Sequence, residues 1–163
     1  MRQVIAPLVV AGSVVSALAA QGTGSAAGAS SARIPACPLL TKELITQVSP
    51  YDKQVLDLVL KVPPTEDELG ASGSACSYGG VTLQVDPFTA QALDQQRTSS
   101  WVAVPDVGDA AFFVGNRGKY AELYTRAGAR VLTVQMDVPT GRTTESVKPN
   151  VIALAKEVLP KLK

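Results

Sequence analysis

The side chains in this sequence whose types and spacing could do chemistry are carboxylates, tyrosines and one arginine. Asp106 and Asp109 stand three positions apart in Asp106-Val107-Gly108-Asp109. Two carboxylates in different environments can serve as general acid and base, and glycoside hydrolysis needs such a pair about 5–10 Å apart in a cleft. The same residues also suit a plainer task, ordering a turn that enters a strand at Ala110, with Asp109 accepting backbone N–H bonds; that is the role we assign them. A calcium loop would need more acidic residues at fixed spacing. Glu66-Asp67-Glu68 reads as a solvated loop or a first helical turn rather than a cation site. Gly115-Asn116-Arg117-Gly118 lies between two strands, so it is a hairpin turn and not a phosphate cradle, which needs a helix N-terminus.

Tyr120, Glu122, Tyr124 and Arg126 alternate along one strand and share a face. Tyr and Arg are enriched in binding hot spots, which makes this face the candidate recognition surface. The same alternation also fits a wet sheet face with ordinary cross-strand pairs. Phe112 and Phe113 are adjacent on a strand and point to opposite faces, so one belongs to the core and the other to a covered or recognition surface.

The chain has no histidine. Ser-His-Asp and Cys-His nucleophile pairs, imidazole zinc sites and His-ligated haem are therefore excluded. Cys37 and Cys76 are the only cysteines, and an even pair in an exported protein predicts one disulfide. Their wide separation does not fit a Cys-x-x-Cys redox pair. Ile34-Pro35-Ala36-Cys37 faintly resembles a lipidation box, but the proline and the polar stretch before it argue against lipidation, which would also leave Cys76 unpaired.

These residues need elements to position them. The chain has 163 residues, 46% of them hydrophobic and 18% charged, which suits one packed domain with an extension. Met1-Arg2-Gln3 followed by an uncharged apolar run from Val4 to Ala20 reads as an export signal, with Ala17-Leu18-Ala19 as the cleavage pattern and Ala27-Gly28-Ala29 as a second option. A membrane anchor would need a longer, more strongly apolar run. Residues 21–35 then form a flexible Gly/Ser-rich linker and residues 36–163 a single domain. Arg2 is the only charge before Arg33, so the exported domain carries fourteen basic and fourteen acidic residues. With no basic excess, a nucleic-acid partner is disfavoured.

Thr41 is the expected N-cap of a first helix, ended by Ser49-Pro50. Gln54–Val62 is compatible with helix or strand and is stopped by Pro63-Pro64; Thr65–Ala75 reads as a loop. Cys76–Val85 reads as one strand, Thr89–Arg97 as a short helix opened by Asp86-Pro87, and Trp101–Asp109 as an irregular connection. Ala110–Val114, Tyr120–Arg126 and Arg130–Val138 form a meander. Val147, Val151, Leu154, Ala155, Val158 and Leu162 make the clearest helical stripe, with Pro149 expected in its first turn. The expected fold is α+β, an antiparallel sheet of about four or more strands with helices packed on one face.

Cys37-Pro38-Leu39-Leu40-Thr41, Cys76-Ser77-Tyr78, the run Val104 to Phe112 and Ala121-Glu122-Leu123-Tyr124 resemble a large family of actinobacterial secreted proteins and lipoproteins of unknown function. The resemblance runs from about Cys37 to the C-terminus. It implies a PsbP-like α/β domain, similar to LpqN-type envelope proteins, located outside the cytoplasm. It implies no catalytic residues.

The reading that follows is a secreted or cell-envelope domain without catalysis or cofactor, binding a protein or an apolar small molecule. Membrane contact would arise only from an uncleaved signal or a lipidated Cys37. The alternatives are a carboxylate-dependent hydrolase of cell-wall glycan built on Asp106 and Asp109, which the low aromatic content disfavours, and a purely structural envelope protein.

Overall fold

A computed structural model describes residues 32–116 and 118–162. The expected signal peptide, both cleavage options, most of the linker and Arg117 of the hairpin turn lie outside the described residues.

The chain folds as α+β around one seven-stranded antiparallel sheet in the order β1-β2-β3-β7-β6-β5-β4. The strands are β1 (Thr65–Leu69), β2 (Gly73–Tyr78), β3 (Val81–Val85), β4 (Val102–Ala103), β5 (Ala110–Asn116), β6 (Tyr120–Ala127) and β7 (Arg130–Asp137). Four α-helices join them: α1 (Lys42–Val48), α2 (Lys53–Val59), α3 (Ala90–Gln96) and α4 (Thr144–Val158). Short 3-10 helices cover Cys37–Leu39 and Leu159–Leu162.

Four helix starts follow from local chemistry. The side chains of Thr41, Asp52, Thr89 and Thr143 each accept a backbone N–H in the first turn of α1, α2, α3 and α4 respectively. Each such cap supplies an acceptor that the helix lacks, worth about 1 kcal/mol. The ambiguous Gln54 segment is helical because Asp52 caps it and Leu56 and Leu60 bury one side.

Four expectations need correction. Thr65–Ala75 is not a loop: it contains β1, the Gly70 turn and the start of β2. The acidic run hid that strand, because Glu66 and Glu68 point to one face and Asp67 to the other. Cys76–Val85 is not one strand: Gly79 and Gly80, at φ 59° and 77°, turn it into the β2–β3 hairpin. Tyr51 presses on that turn, and a Cβ on Gly80 would come within 2.6 Å of its ring. Pro149 is not in a first turn but inside α4, where its missing N–H falls on a helix already anchored by the Thr143/Ser146 capping box. Val102–Ala103, within the expected irregular connection, is the short edge strand β4.

One sheet face is the dry core. Leu83, Val85, Leu132, Val134, Met136, Ala121, Leu123 and Phe113 point to it and meet the α4 stripe of Val147, Val151, Leu154, Ala155 and Val158. Asn150 of α4 donates to the Val48 carbonyl (2.8 Å), closing the C-terminal end of α1 against it. The opposite face is crossed by α3, because the chain must travel from β3 to β4 over β7, β6 and β5. Leu93 of α3 is fully buried on that side.

The Cys37–Cys76 disulfide is formed. It closes a loop with a sequence separation of 39, worth about 4 kcal/mol at most in the chain-entropy account. The disulfide occupies the sulfur that a lipid thioether on Cys37 would need. Residues 32–35, the end of the linker expected to be flexible, are fastened beside it. Arg130 donates to the Ala32 carbonyl, Arg33 to that of Gly70, and Ser74 Oγ to that of Ile34. Among the described residues, no helix is long and apolar enough to cross a membrane.

Candidate functional site

Alternation places Tyr120, Glu122, Tyr124 and Arg126 on the crossover face of β6, where register sets them beside Asp137, Gln135, Thr133 and Val131 of β7. The structure splits this quartet. Tyr124 lies under the crossover, its ring stacked on Trp101 at 4.5 Å and 14°, with Phe88 at 6.1 Å. Phe112, the β5 neighbour of Tyr124, is also covered: Trp101 lies 6.2 Å away and the Arg97 guanidinium 5.0 Å above its ring. Arg126 pairs with Asp94 of α3 at 3.3 Å. Tyr120 lies two rows beyond, away from these contacts, and Glu122 on the row between is joined to them through Tyr124.

Glu122 accepts the Tyr124 hydroxyl at 3.2 Å. Burial raises the Glu122 carboxyl above its ordinary 4.5, and the Tyr124 bond pulls the other way. Burial, then the Glu122 charge and hydrogen bond, push Tyr124 up to about 12. Tyr51 behaves alike: burial first, then Asp137 at 3.3 Å, raise it to about 12.

Asp106 and Asp109 line a separate cleft of about 650 Å³, shared with Val107, Lys156, Leu159 and Leu162. Three distant segments build it: the 106–109 loop, the β6–β7 turn at Ala127-Gly128, and the end of α4 with its 3-10 extension. Its volume lies in the range of small-molecule sites, roughly 300–1,000 Å³. The loop is held by close backbone packing. Asp106 and Gly108 both have φ 60°, and a Cβ on Gly108 would sit 2.4 Å from the Arg126 carbonyl. Asp109 accepts the Gly128 N–H at 2.6 Å, and its own N–H donates to the Arg126 carbonyl at 2.7 Å. The expected turn role of Asp109 is thus present, but it ties two turns together rather than one. Lys156 and the 3-10 extension were missed by the sequence reading. The only available signal was Leu162 continuing the α4 stripe past Pro160, which kept the chain packed there.

Glu66 is also not simply solvated. Its carboxylate accepts the N–H groups of Ala36 and Cys37, both at 2.7 Å, and so caps the 3-10 helix that carries the disulfide. Glu68 pairs with Arg33. Asp86, read only as a helix opener, accepts the Val131 N–H at 3.0 Å and pairs with Arg130, which fixes the start of the crossover to β7.

The chain matches no protein-family model, no curated protein and no solved structure.

Proposed function

We propose that this is an exported, non-catalytic binding domain whose ligand sits in the cleft between the 106–109 loop and the C-terminal end of α4. The observation that carries this reading is the cleft itself. It has ligand size and an apolar floor of Val107, Leu159 and Leu162, rimmed by Asp106, Asp109 and Lys156. The sequence supports the non-catalytic half, since a chain without histidine whose two cysteines are bridged lacks the usual nucleophile–base pairs. Export is supported by the apolar leader and by the disulfide, a bond that persists in oxidising compartments. The likeness of the Cys37, Cys76 and Val104–Phe112 segments to actinobacterial envelope proteins supports the same location.

Native and denaturing mass spectrometry of the protein from its host's culture fluid tests this. A native mass above the denatured mass, abolished by the exposed-site change Lys156→Glu at an unchanged melting temperature, is the expected result. Equal masses, or an adduct indifferent to that substitution, would remove the cleft as the ligand seat.

One observation favours the hydrolase reading: Asp106 and Asp109 share a cleft large enough for a substrate. Against it, Asp109 is engaged in holding Gly128, which is a structural duty. Turnover of cell-wall glycan that disappears in Asp106→Asn would establish that reading.

A further inference from the structure

The cleft carries both signs of charge over an apolar floor. Asp106 enters from the loop and Lys156 from α4, and among the described residues neither takes part in an ion pair, with the other or with any third group. Asp109 has one carboxylate oxygen spent on Gly128 N–H. Val107, Leu159 and Leu162 line the same space with exposures of 2%, 9% and 5%. A purely anionic ligand would face Asp106 and Asp109, and a purely cationic one would leave Lys156 unmatched. An uncharged apolar ligand would desolvate all three charges without compensation. The ligand that satisfies the whole lining has an ammonium, an acidic group and a short apolar segment.

We propose that the cleft binds a zwitterionic amphiphile, with its ammonium toward Asp106, its acidic group toward Lys156 and its alkyl segment over Val107, Leu159 and Leu162. This inference rests on the cleft being the ligand seat. The two charged residues choose the head, and the 3-10 extension after α4 accepts the tail. Such a head could come from a membrane lipid or from a free amphiphile, and the chemistry of recognition is the same for both.

Calorimetric titration of the exported chain with monomeric lauroyl lysophosphatidylethanolamine, laurylamine and dodecyl maltoside tests the inference. The zwitterion is expected to bind roughly tenfold tighter than the maltoside, a difference of about 1.4 kcal/mol. Asp106→Asn and Lys156→Gln should each remove most of that advantage and leave maltoside binding unchanged. Asparagine tolerates the left-handed backbone of position 106, and position 156 is exposed, so both variants keep the fold. Equal affinity for zwitterion and maltoside, indifferent to both variants, overturns the inference while leaving the cleft as a ligand seat. Laurylamine binding as tightly as the zwitterion, unaffected by Lys156→Gln, also overturns it. Failure of all three probes to bind removes the seat as well. Cosedimentation with phosphatidylethanolamine vesicles, competed by the lysolipid, would support the site and assign the source to a membrane; lysolipid binding without cosedimentation would support it and assign a free amphiphile.

Discussion

Strand β6 presents Ala121, Leu123 and Thr125 to the helical face, all fully buried, and Tyr120, Glu122, Tyr124 and Arg126 to the crossover face, all only half-buried. The alternation is the same on both sides; the covers differ. On one side α4 is fifteen residues long and runs across β5, β6 and β7. On the other, α3 has seven residues and pairs its Asp94 with Arg126, while Phe88 before it and Trp101 after it cover Tyr124. A long helix with a continuous stripe makes a core. A short one with a single buried leucine makes a cover over half a face, and the remainder keeps polar side chains at partial exposure. Tyr124 and Arg126 are thereby held by the crossover, Glu122 is tied to Tyr124, and Tyr120 stands outside these contacts on the expected recognition face.

The difference can be broken or sharpened by substitution. Leu123→Ala should have the largest effect, about 2–5 kcal/mol of lost stability by urea unfolding, because its cavity lies in the dry layer. A loss below about 1 kcal/mol would mean that the helical face is not a tight core. Tyr124→Ala should cost about 2 kcal/mol through the lost Trp101 stack, whereas Tyr120→Ala should cost under about 0.5 kcal/mol. Equal costs would show that the crossover does not divide the face. Thr125→Val should gain about 1 kcal/mol, because the Thr125 hydroxyl is buried on the apolar side without a partner among the described residues. A loss instead would mean that the hydroxyl is satisfied by bound water.

The smallest effect is a pH dependence, led on the crossover face by Glu122. Glu122 holds its proton more tightly in the folded chain than in the unfolded one. The folded state therefore binds more protons over the window that opens near 4.5, and this group's contribution to stability falls as pH rises through it. Glu122→Gln should match the parent protein below that window and gain on it above, read from unfolding midpoints across the pH series. A constant difference would remove the burial of Glu122 as its cause. Tyr124 and Tyr51 give the same sign higher up: both keep their protons to about 12 in the fold. Their contributions therefore fall as pH rises from the ordinary 10.0 toward 12.

The local elements were largely legible. The Thr41 cap, the α4 stripe and the strict alternation in β6 and β7 are short-range patterns, and each appears in the fold. The disulfide followed from cysteine parity. Strand β1 was not legible, because Glu66 and Glu68 bury no apolar surface. They find their partners in the Ala36 and Cys37 N–H groups and in Arg33, some thirty positions away.

Sequence alone determined the α+β class, the two-faced β6 and the absence of histidine chemistry, because composition and period are properties of the chain itself. The tertiary structure decided which residues of the β6 face the crossover covers. Placing β3 beside β7 forces the next segment over three strands, and no local pattern records that route. It also decided that Asp106 and Lys156, fifty positions apart, border one cleft, because the β6–β7 turn and the end of α4 meet there only after the sheet has closed against its helix.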